Sequence, residues 1–161
     1  MRFEPIDIKE HRDYIIAFRR DSFVVSFGSD EDFGDEEEYL DWVRTRSSEF
    51  PQGFVMVWED ETPIGQIELT IREYMGKTIG YINLYYLIPE KRGLGLGKEL
   101  HKYALHFFKG YGVGEYHLRV SPTNRHALPF YYKNGIQRIG FEYGGKVIRM
   151  KGIIANKTSL K

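Results

Sequence analysis

The chain has 161 residues, the length of one domain, and its 23 Lys and Arg against 23 Asp and Glu leave no net charge, which argues against nucleic acid as a partner. No cysteine is present, which excludes disulfides, thiolate metal sites and a cysteine nucleophile, and a hydrophobic content of 42% with 16% aromatics excludes disorder over most of the length. No apolar run approaches the ~18 residues of a membrane span, and Met1 to Asp7 carries no apolar signal core, so a cytoplasmic protein with no membrane partner, monomer or homodimer, is expected.

Tyr14, Ile15, Phe18 and Phe23 form an apolar stripe at spacings near three and four, which predicts a helix from about residue 9 to 20. Gly28 to Gly34 reads as a loop. Tyr39, Leu40, Trp42 and Val43 open a second amphipathic stretch that stops before Pro51. Asp30, Glu31, Asp32, Asp35, Glu36, Glu37 and Glu38 lie on that loop and on the first turn of the second helix. Carboxylates there interact well with the helix dipole while staying solvated; the functional alternative is a mouth that attracts a cationic acceptor.

From Phe54 the pattern changes to strands. Phe54 to Trp58, the turn Glu59 to Thr62, and Ile64 to Ile71 read as a hairpin. In its second arm Ile67, Leu69 and Ile71 alternate with Gln66, Glu68 and Thr70, which predicts one buried and one more polar face. Ile79 to Ile88 forms a third strand, apolar enough to be central, and Pro89 ends it. Leu100, Tyr103, Ala104, Phe107 and Phe108 recur at helical spacing until Gly110 to Gly114. A short strand over Tyr116 to Val120, a turn over Ser121 to Asn124 and a short helix to Asn134 follow. Ile136 to Phe141 and Val147 to Lys151 close as a hairpin around Gly144 and Gly145. The tail from Ile153 to Lys161 is expected to fray. That order of elements predicts a mixed sheet with helices packed on it.

Pro89-Glu90-Lys91-Arg92-Gly93-Leu94-Gly95-Leu96-Gly97-Lys98 lies between a buried strand and a helix. Glycines there let consecutive N–H groups turn outward at the positive end of the helix, which makes an anion cradle, and Arg92 or Lys98 could add a full charge. A Walker loop would need glycine at position 92 and Ser or Thr after the lysine, where Arg92 and Glu99 stand. A dinucleotide fingerprint starting at Gly93 would need glycine at position 98, where Lys98 stands.

The pattern that fits is Arg-x-x-Gly-x-Gly, as Arg92, Gly95 and Gly97, preceded by Leu87-x-Pro89. Downstream, Asn124-Arg125-His126-Ala127-Leu128-Pro129-Phe130-Tyr131-Tyr132-Lys133-Asn134-Gly135 supplies an Asn-x-x-Ala-x-x-(apolar)-Tyr-x-x-x-Gly segment. Together these resemble the pyrophosphate loop and the following helix of the GNAT acetyltransferase superfamily, over about residues 54 to 151. The resemblance implies an α/β (α+β) fold: a mixed, mostly antiparallel sheet of about six to seven strands, helices on both faces, and splayed central strands. It also implies a single domain over 1–161, with 54–151 as core and 1–50 as a variable helical acceptor-side region.

By the same resemblance, acetyl-CoA is the cosubstrate and a small-molecule or peptide amine the acceptor, attacked directly in a ternary complex. The pantetheine arm would lie along Leu87 and Ile88, with an N–H near Leu87 facing the thioester carbonyl. Main-chain amides over Arg92, Gly93, Leu94, Gly95, Gly97 and Lys98 would hold the pyrophosphate. Asn124 would contact the cofactor arm, or cap the helix, or both. Tyr131 would donate to the departing thiolate; full transfer from a tyrosine of pKa ~10 to a thiolate of pKa ~8.5 is uphill by ~2 kcal/mol, so the hydrogen bond would be its main contribution.

Two departures stand out. Pro129 falls inside the family's helical stretch, which places the helix start near Ala127. Gly80-Tyr81-Ile82-Asn83 lacks the glutamate that family members often carry as general base, although an alkylamine costs ~4 kcal/mol to deprotonate near neutral pH. Glu68 on the preceding strand is the substitute considered, against a solvated strand carboxylate or a water chain. His101 and His106 stand five apart, not the three or four that pair ligands on a helix face, and no metal is expected. Absence of the strand glutamate also leaves a second reading, a CoA-binding sensor or interaction module without turnover.

Overall fold

The computed structural model describes residues 1–155. Seven strands form one open sheet: β1 (Arg2–Pro5), β2 (Phe54–Glu59), β3 (Thr62–Tyr74), β4 (Lys77–Leu87), β5 (Glu115–Val120), β6 (Gln137–Glu142) and β7 (Val147–Ile153), in the spatial order β1-β2-β3-β4-β5-β7-β6. Every neighbouring pair is antiparallel except β4 and β5. Four helices pack on it: α1 (Arg12–Phe27), α2 (Glu36–Glu49), α3 (Gly97–Gly110) and α4 (Ala127–Lys133).

The helices divide between the two faces. Ile15, Phe18, Leu40 and Val43 from α1 and α2 pack with Phe54, Met56, Leu84 and Tyr86. Leu100, Ala104, Phe107 and Phe108 from α3 pack with Val55, Val57, Ile67, Leu69, Ile82, Leu118 and Ile148 on the other. Both faces of β3 are therefore covered, and Pro63 to Thr70 are all buried. The face of Gln66, Glu68 and Thr70 is the more polar one but is buried, and Glu68 is not a solvated strand carboxylate: Gln66 and Glu68 bond Tyr39 of α2. The α3 face is sealed partly by Gly80, where a Cβ would stand 2.5 Å from the Phe108 ring.

Three further elements differ from the sequence reading. β1 has four residues, ends in a proline and pairs as an edge strand with β2, too short to show a period. α1 runs as one helix to Phe27, past residue 20, because nothing before Gly28 (φ +84°) interrupts it. At the C-terminus β7 continues to Ile153, and the buried Ile154 donates its N–H to the Gly114 carbonyl at 3.0 Å. The rest of the tail, 156–161, lies outside the described residues.

The central pair decides the shape of the site. β4 and β5 pair in parallel only over Gly80–Ile82 and Tyr116–Leu118, then part. The parting coincides with a bulge: Leu69 faces Ile82 while Glu68 faces Leu84, which leaves Asn83 as the extra residue of β4. A bulged strand bends and twists away from its partner. Side chains hold the bulge in place, Asn83 Nδ2 donating to Thr70 Oγ1 at 3.0 Å and Arg72 Nη2 donating to Asn83 Oδ1 at 2.5 Å.

Candidate active site

A cleft of about 880 Å³ passes through the gap between β4 and β5, with Tyr85, Leu87, Asn124 and Tyr131 on one side and Tyr39, Trp42, Arg72 and Tyr81 on the other. Along β4 the Ile88 N–H is taken by the Ile64 carbonyl at 2.9 Å. Main-chain groups of a strand alternate in direction, so Leu87 and Tyr85 turn their N–H groups away from β3 and into the gap. The Ile88 carbonyl also accepts from Lys91 at 2.9 Å, and Ile88, packed against the core, does not line the cleft.

The glycine loop follows a 3-10 turn at Pro89–Lys91. Arg92 N–H is spent on the Pro89 carbonyl, and its side chain turns back, donating from Nε to the Leu87 carbonyl at 2.8 Å and from Nη2 to Asp21 Oδ2 at 2.7 Å. Its charge thus ties the loop to α1, and the same Asp21 oxygen accepts from the Tyr86 hydroxyl at 2.5 Å. Gly93 and Gly95 adopt φ of +75° and +82°, a region that strains residues with a Cβ. Among the described residues no acceptor meets the N–H groups of Gly93, Leu94, Gly95, Leu96 or Gly97. Lys98 N–H makes only a long 3.4 Å contact with the Gly95 carbonyl. Five unspent amides before a 14-residue helix fit a diphosphate, which is what the chemistry of a pyrophosphate cradle requires. Gly97 also lets the Phe130 ring close against α3, since a Cβ there would lie 3.1 Å from it.

α4 starts at Ala127, so Pro129 stands in its first turn, where its missing N–H costs no helical bond. Asn124 Oδ1 accepts from the Ala127 N–H at 3.1 Å, a capping bond, and Asn124 Nδ2 reaches Ser26 Oγ on α1 at 3.4 Å. The Tyr131 hydroxyl has no hydrogen-bond partner among the described residues, whereas Tyr132 is 46% exposed. Burial, then the neighbouring Tyr81, pushes the Tyr131 hydroxyl well above the ordinary tyrosine range, so it is a proton donor at any physiological pH.

Glu68 is fully buried. Its Oε2 accepts from the Tyr39 hydroxyl at 2.5 Å and from Gln66 Nε2 at 2.8 Å, and its Oε1 has no partner. Burial raises its pKa, opposed by Arg19, Tyr39 and Gln66. Tyr39, not Glu68, lines the cleft, so the carboxylate reaches it only through that phenol. The acidic cluster of the α1–α2 loop is largely answered within the fold: Arg20 pairs with Asp30 and Glu36, Arg12 with Glu37, Lys146 with Asp32, and Asp35 caps α2.

Tyr39, Arg19, Tyr81, Arg72 and Arg119 line the cleft and were not singled out from the sequence. The signal for Arg72 was present: it continues the Gln66, Glu68, Thr70 alternation on the same face of β3. His101, read from the sequence only as unsuited to pair with His106 on a metal, is buried between the Tyr85 and Tyr116 hydroxyls at 3.0 and 3.2 Å, and burial lowers its pKa. No group of three or more His, Asp or Glu among the described residues is placed to hold a metal ion, and no helix among them is long and apolar enough to cross a membrane.

A splayed parallel pair beside an unspent amide cradle defines an acyltransferase type of site. The chain belongs to the acetyltransferase (GNAT) family, whose sequence model matches residues 13–136. It is similar in structure to the PaiA N-acetyltransferase of Thermoplasma acidophilum, crystallised with coenzyme A, at 26% identity and a TM-score of 0.72, covering 94% of this chain and 98% of that one. The fold also matches yncA, a putative acetyltransferase from Salmonella typhimurium with acetyl-CoA, at 16% identity, a TM-score of 0.69 and coverage of 97% and 95%. A ribosomal-protein-alanine N-acetyltransferase from Brucella melitensis matches at 14% identity, TM-score 0.72 and coverage of 95% and 99%. A search of curated proteins by sequence finds no match.

Proposed function

We propose that the chain is a single, cytoplasmic acetyl-CoA-dependent N-acetyltransferase domain that acetylates a primary amine of a small molecule or peptide, with residues 1–50 forming the acceptor side. One observation carries the reading: the unspent amides of Gly93 to Gly97 follow directly on Arg92, which lines the same cleft into which β4 turns Tyr85 and Leu87. The cosubstrate would supply an acyl group already activated as a thioester.

This chain's residues then divide the work. Amides of Gly93, Leu94, Gly95 and Gly97, with the α3 dipole and the Lys98 charge, hold the pyrophosphate. Arg92 contributes by fixing the loop to Asp21 and Leu87. Leu87 N–H faces the thioester carbonyl and stabilises the charge that develops on its oxygen. Asn124 orients α4. Tyr131 donates a hydrogen bond to the departing sulfur; its raised pKa makes full proton transfer more costly still, so the bond itself is its contribution. Glu68 accepts the acceptor's proton through Tyr39, and burial moves its basicity toward that task. Attack is direct, because no cysteine is present to carry the acyl group.

A CoA-binding sensor without turnover is the alternative, favoured by one observation: Glu68 is screened from the cleft by Tyr39. Calorimetric titration with acetyl-CoA, beside thiol release over an amine panel, separates the two. Saturable binding with amine-dependent thiol release is expected. Binding with no release for any amine supports the sensor, and no binding overturns both.

A further inference from the structure

On the face of the sheet opposite α3, beyond the cover of α1 and α2, three arginines surround one tyrosine. Leu69, Ile82, Leu118, Ile148 and Met150 face α3, so their neighbours Tyr81, Arg119 and Arg149 face the other way, with Arg72 continuing the line of Thr70. The guanidinium carbons of Arg72, Arg119 and Arg149 lie 3.9, 5.7 and 5.9 Å from the Tyr81 ring centroid.

A single carboxylate serves this group. Glu142 accepts from Arg119 Nε at 2.7 Å and from Arg149 Nε at 2.8 Å. Arg149 spends Nη1 on His117 Nδ1 at 2.8 Å, which makes that ring neutral with its proton on Nε2, facing Glu115 at 2.7 Å. Arg72 meets only neutral oxygens, those of Thr70 and Asn83, and has no carboxylate in ion-pair range among the described residues. Arg72 Nη1 and both terminal nitrogens of Arg119 have no hydrogen-bond partner among the described residues, and both side chains line the cleft. Three guanidinium groups against one carboxylate leave two positive charges in a half-buried site of a chain with no net charge. Burial, and then repulsion by Arg119 and Arg149, lowers the Arg72 pKa. Uncompensated charge of this kind is costly unless a ligand answers it. The pyrophosphate cradle belongs to α3 and the opposite face, so the missing anion is not the cosubstrate's diphosphate.

We propose that Arg72 and Arg119 form an anion-binding subsite for the acceptor, which is therefore a small amine carrying a carboxylate or phosphate. The proposal rests on the acetyltransferase reading for the word acceptor, but the subsite itself is read without it. Tyr81 links it to the reaction, since Tyr81 and Tyr131 line the same cleft. The acceptor's anionic end would lie on the arginines and its amine would point toward the gap.

The test uses the full chain and two readouts. Calorimetry without cosubstrate compares free amino acids with their C-terminal amides, and O-phosphoethanolamine with ethanolamine. Acetylation rates compare the same pairs and spermidine. The anionic member of a pair is expected to bind and react better by about tenfold or more. Arg72→Gln and Arg119→Gln are expected to raise its KM about tenfold or more; Arg119→Gln, which leaves the Asn83 bulge intact, is also expected to leave the Kd for acetyl-CoA unchanged and to affect the neutral partner far less. Arg72→Lys recovers part of the loss, and melting curves of all three variants establish that they fold. Stronger binding of O-phosphoethanolamine than of any amino acid assigns phosphate as the anion; the reverse assigns carboxylate. Preference for amides or spermidine, equal losses on charged and neutral acceptors, or no binding of any anionic probe overturns the subsite. If acetyl-CoA fails to bind while anions still bind through Arg72, the subsite stands and the acetyltransferase reading falls. Acetylation of neutral amines alone does the opposite.

Discussion

The Tyr39 hydroxyl donates to Glu68 Oε2 at 2.5 Å, and that phenol stands between a fully buried carboxylate and the cleft. Residues from α2 and β3 thus form a hydrogen-bonded pair that neither element contains alone, the path proposed for the acceptor's proton. Burial raises the Glu68 pKa, while the Tyr39 bond favours its ionised form and lowers it.

As a base, Glu68 acts when ionised, so kcat/KM rises with pH through its elevated pKa. Glu68→Gln is expected to lower kcat by about 100-fold or more and to abolish that limb. Tyr39→Phe breaks the only route from the cleft to the carboxylate, so it is expected to lower kcat about as far as Glu68→Gln does, and any residual limb moves to higher pH because a donor to the carboxylate is lost. The pH–rate profiles of the two variants check this, and an unchanged limb in Glu68→Gln removes the residue from the mechanism.

Tyr131→Phe deletes a hydroxyl that has no partner among the described residues, so its melting temperature should stay close to that of the parent. Turnover should fall by about tenfold or more, the value of a hydrogen bond to an anionic sulfur, with little change in acetyl-CoA affinity. Paired measurements of kcat and Kd decide it. Loss of affinity equal to the loss of rate would assign Tyr131 to binding alone.

Gly95 holds φ at +82°, and a Cβ there would meet nothing within 4 Å. Gly95→Ala therefore carries backbone strain of about 1–2 kcal/mol and no clash, and it should fold with a lower melting temperature. Gly95→Asp adds a negative charge among the unspent amides and should abolish acetyl-CoA binding. Retained affinity in the Asp variant, measured by calorimetry, would contradict the cradle.

Glu115 is held near a pKa of about 2, down from the usual 4.5, by Lys77 first and His117 second. Its folded-state pKa is depressed, so its stabilisation is present above 4.5 and is lost as pH falls toward 2. Glu115→Gln should lower the melting temperature at neutral pH and flatten the acid limb of stability. Parallel melting curves with falling pH check this; limbs of equal steepness would refute it. Most of the Lys77 side chain is exposed, which keeps the effect modest.

Motifs confined to one stretch of chain were the most legible. Arg92, Gly95 and Gly97 between an apolar strand and an amphipathic helix mark the cradle, because positive φ and free amides are local properties of the backbone. Asn124 and Pro129 likewise locate the start of α4. The polar positions of β3 misled: alternation showed two faces, but whether the second met water depended on α1 and α2 folding over it. β1 escaped for the opposite reason, since four residues carry no period and become a strand only through pairing with β2.

From its sequence alone, this chain declares a family, a mixed sheet order and a phosphate-type loop, all of which depend on neighbours along the backbone. Tertiary structure alone decided where β4 leaves β5, that Arg92 turns to Asp21, that Glu68 lies behind Tyr39, and that Arg72, Arg119 and Arg149 share a wall with a single carboxylate. Charge balance and burial are sums over residues distant in sequence, and only folding brings those residues within reach of one another.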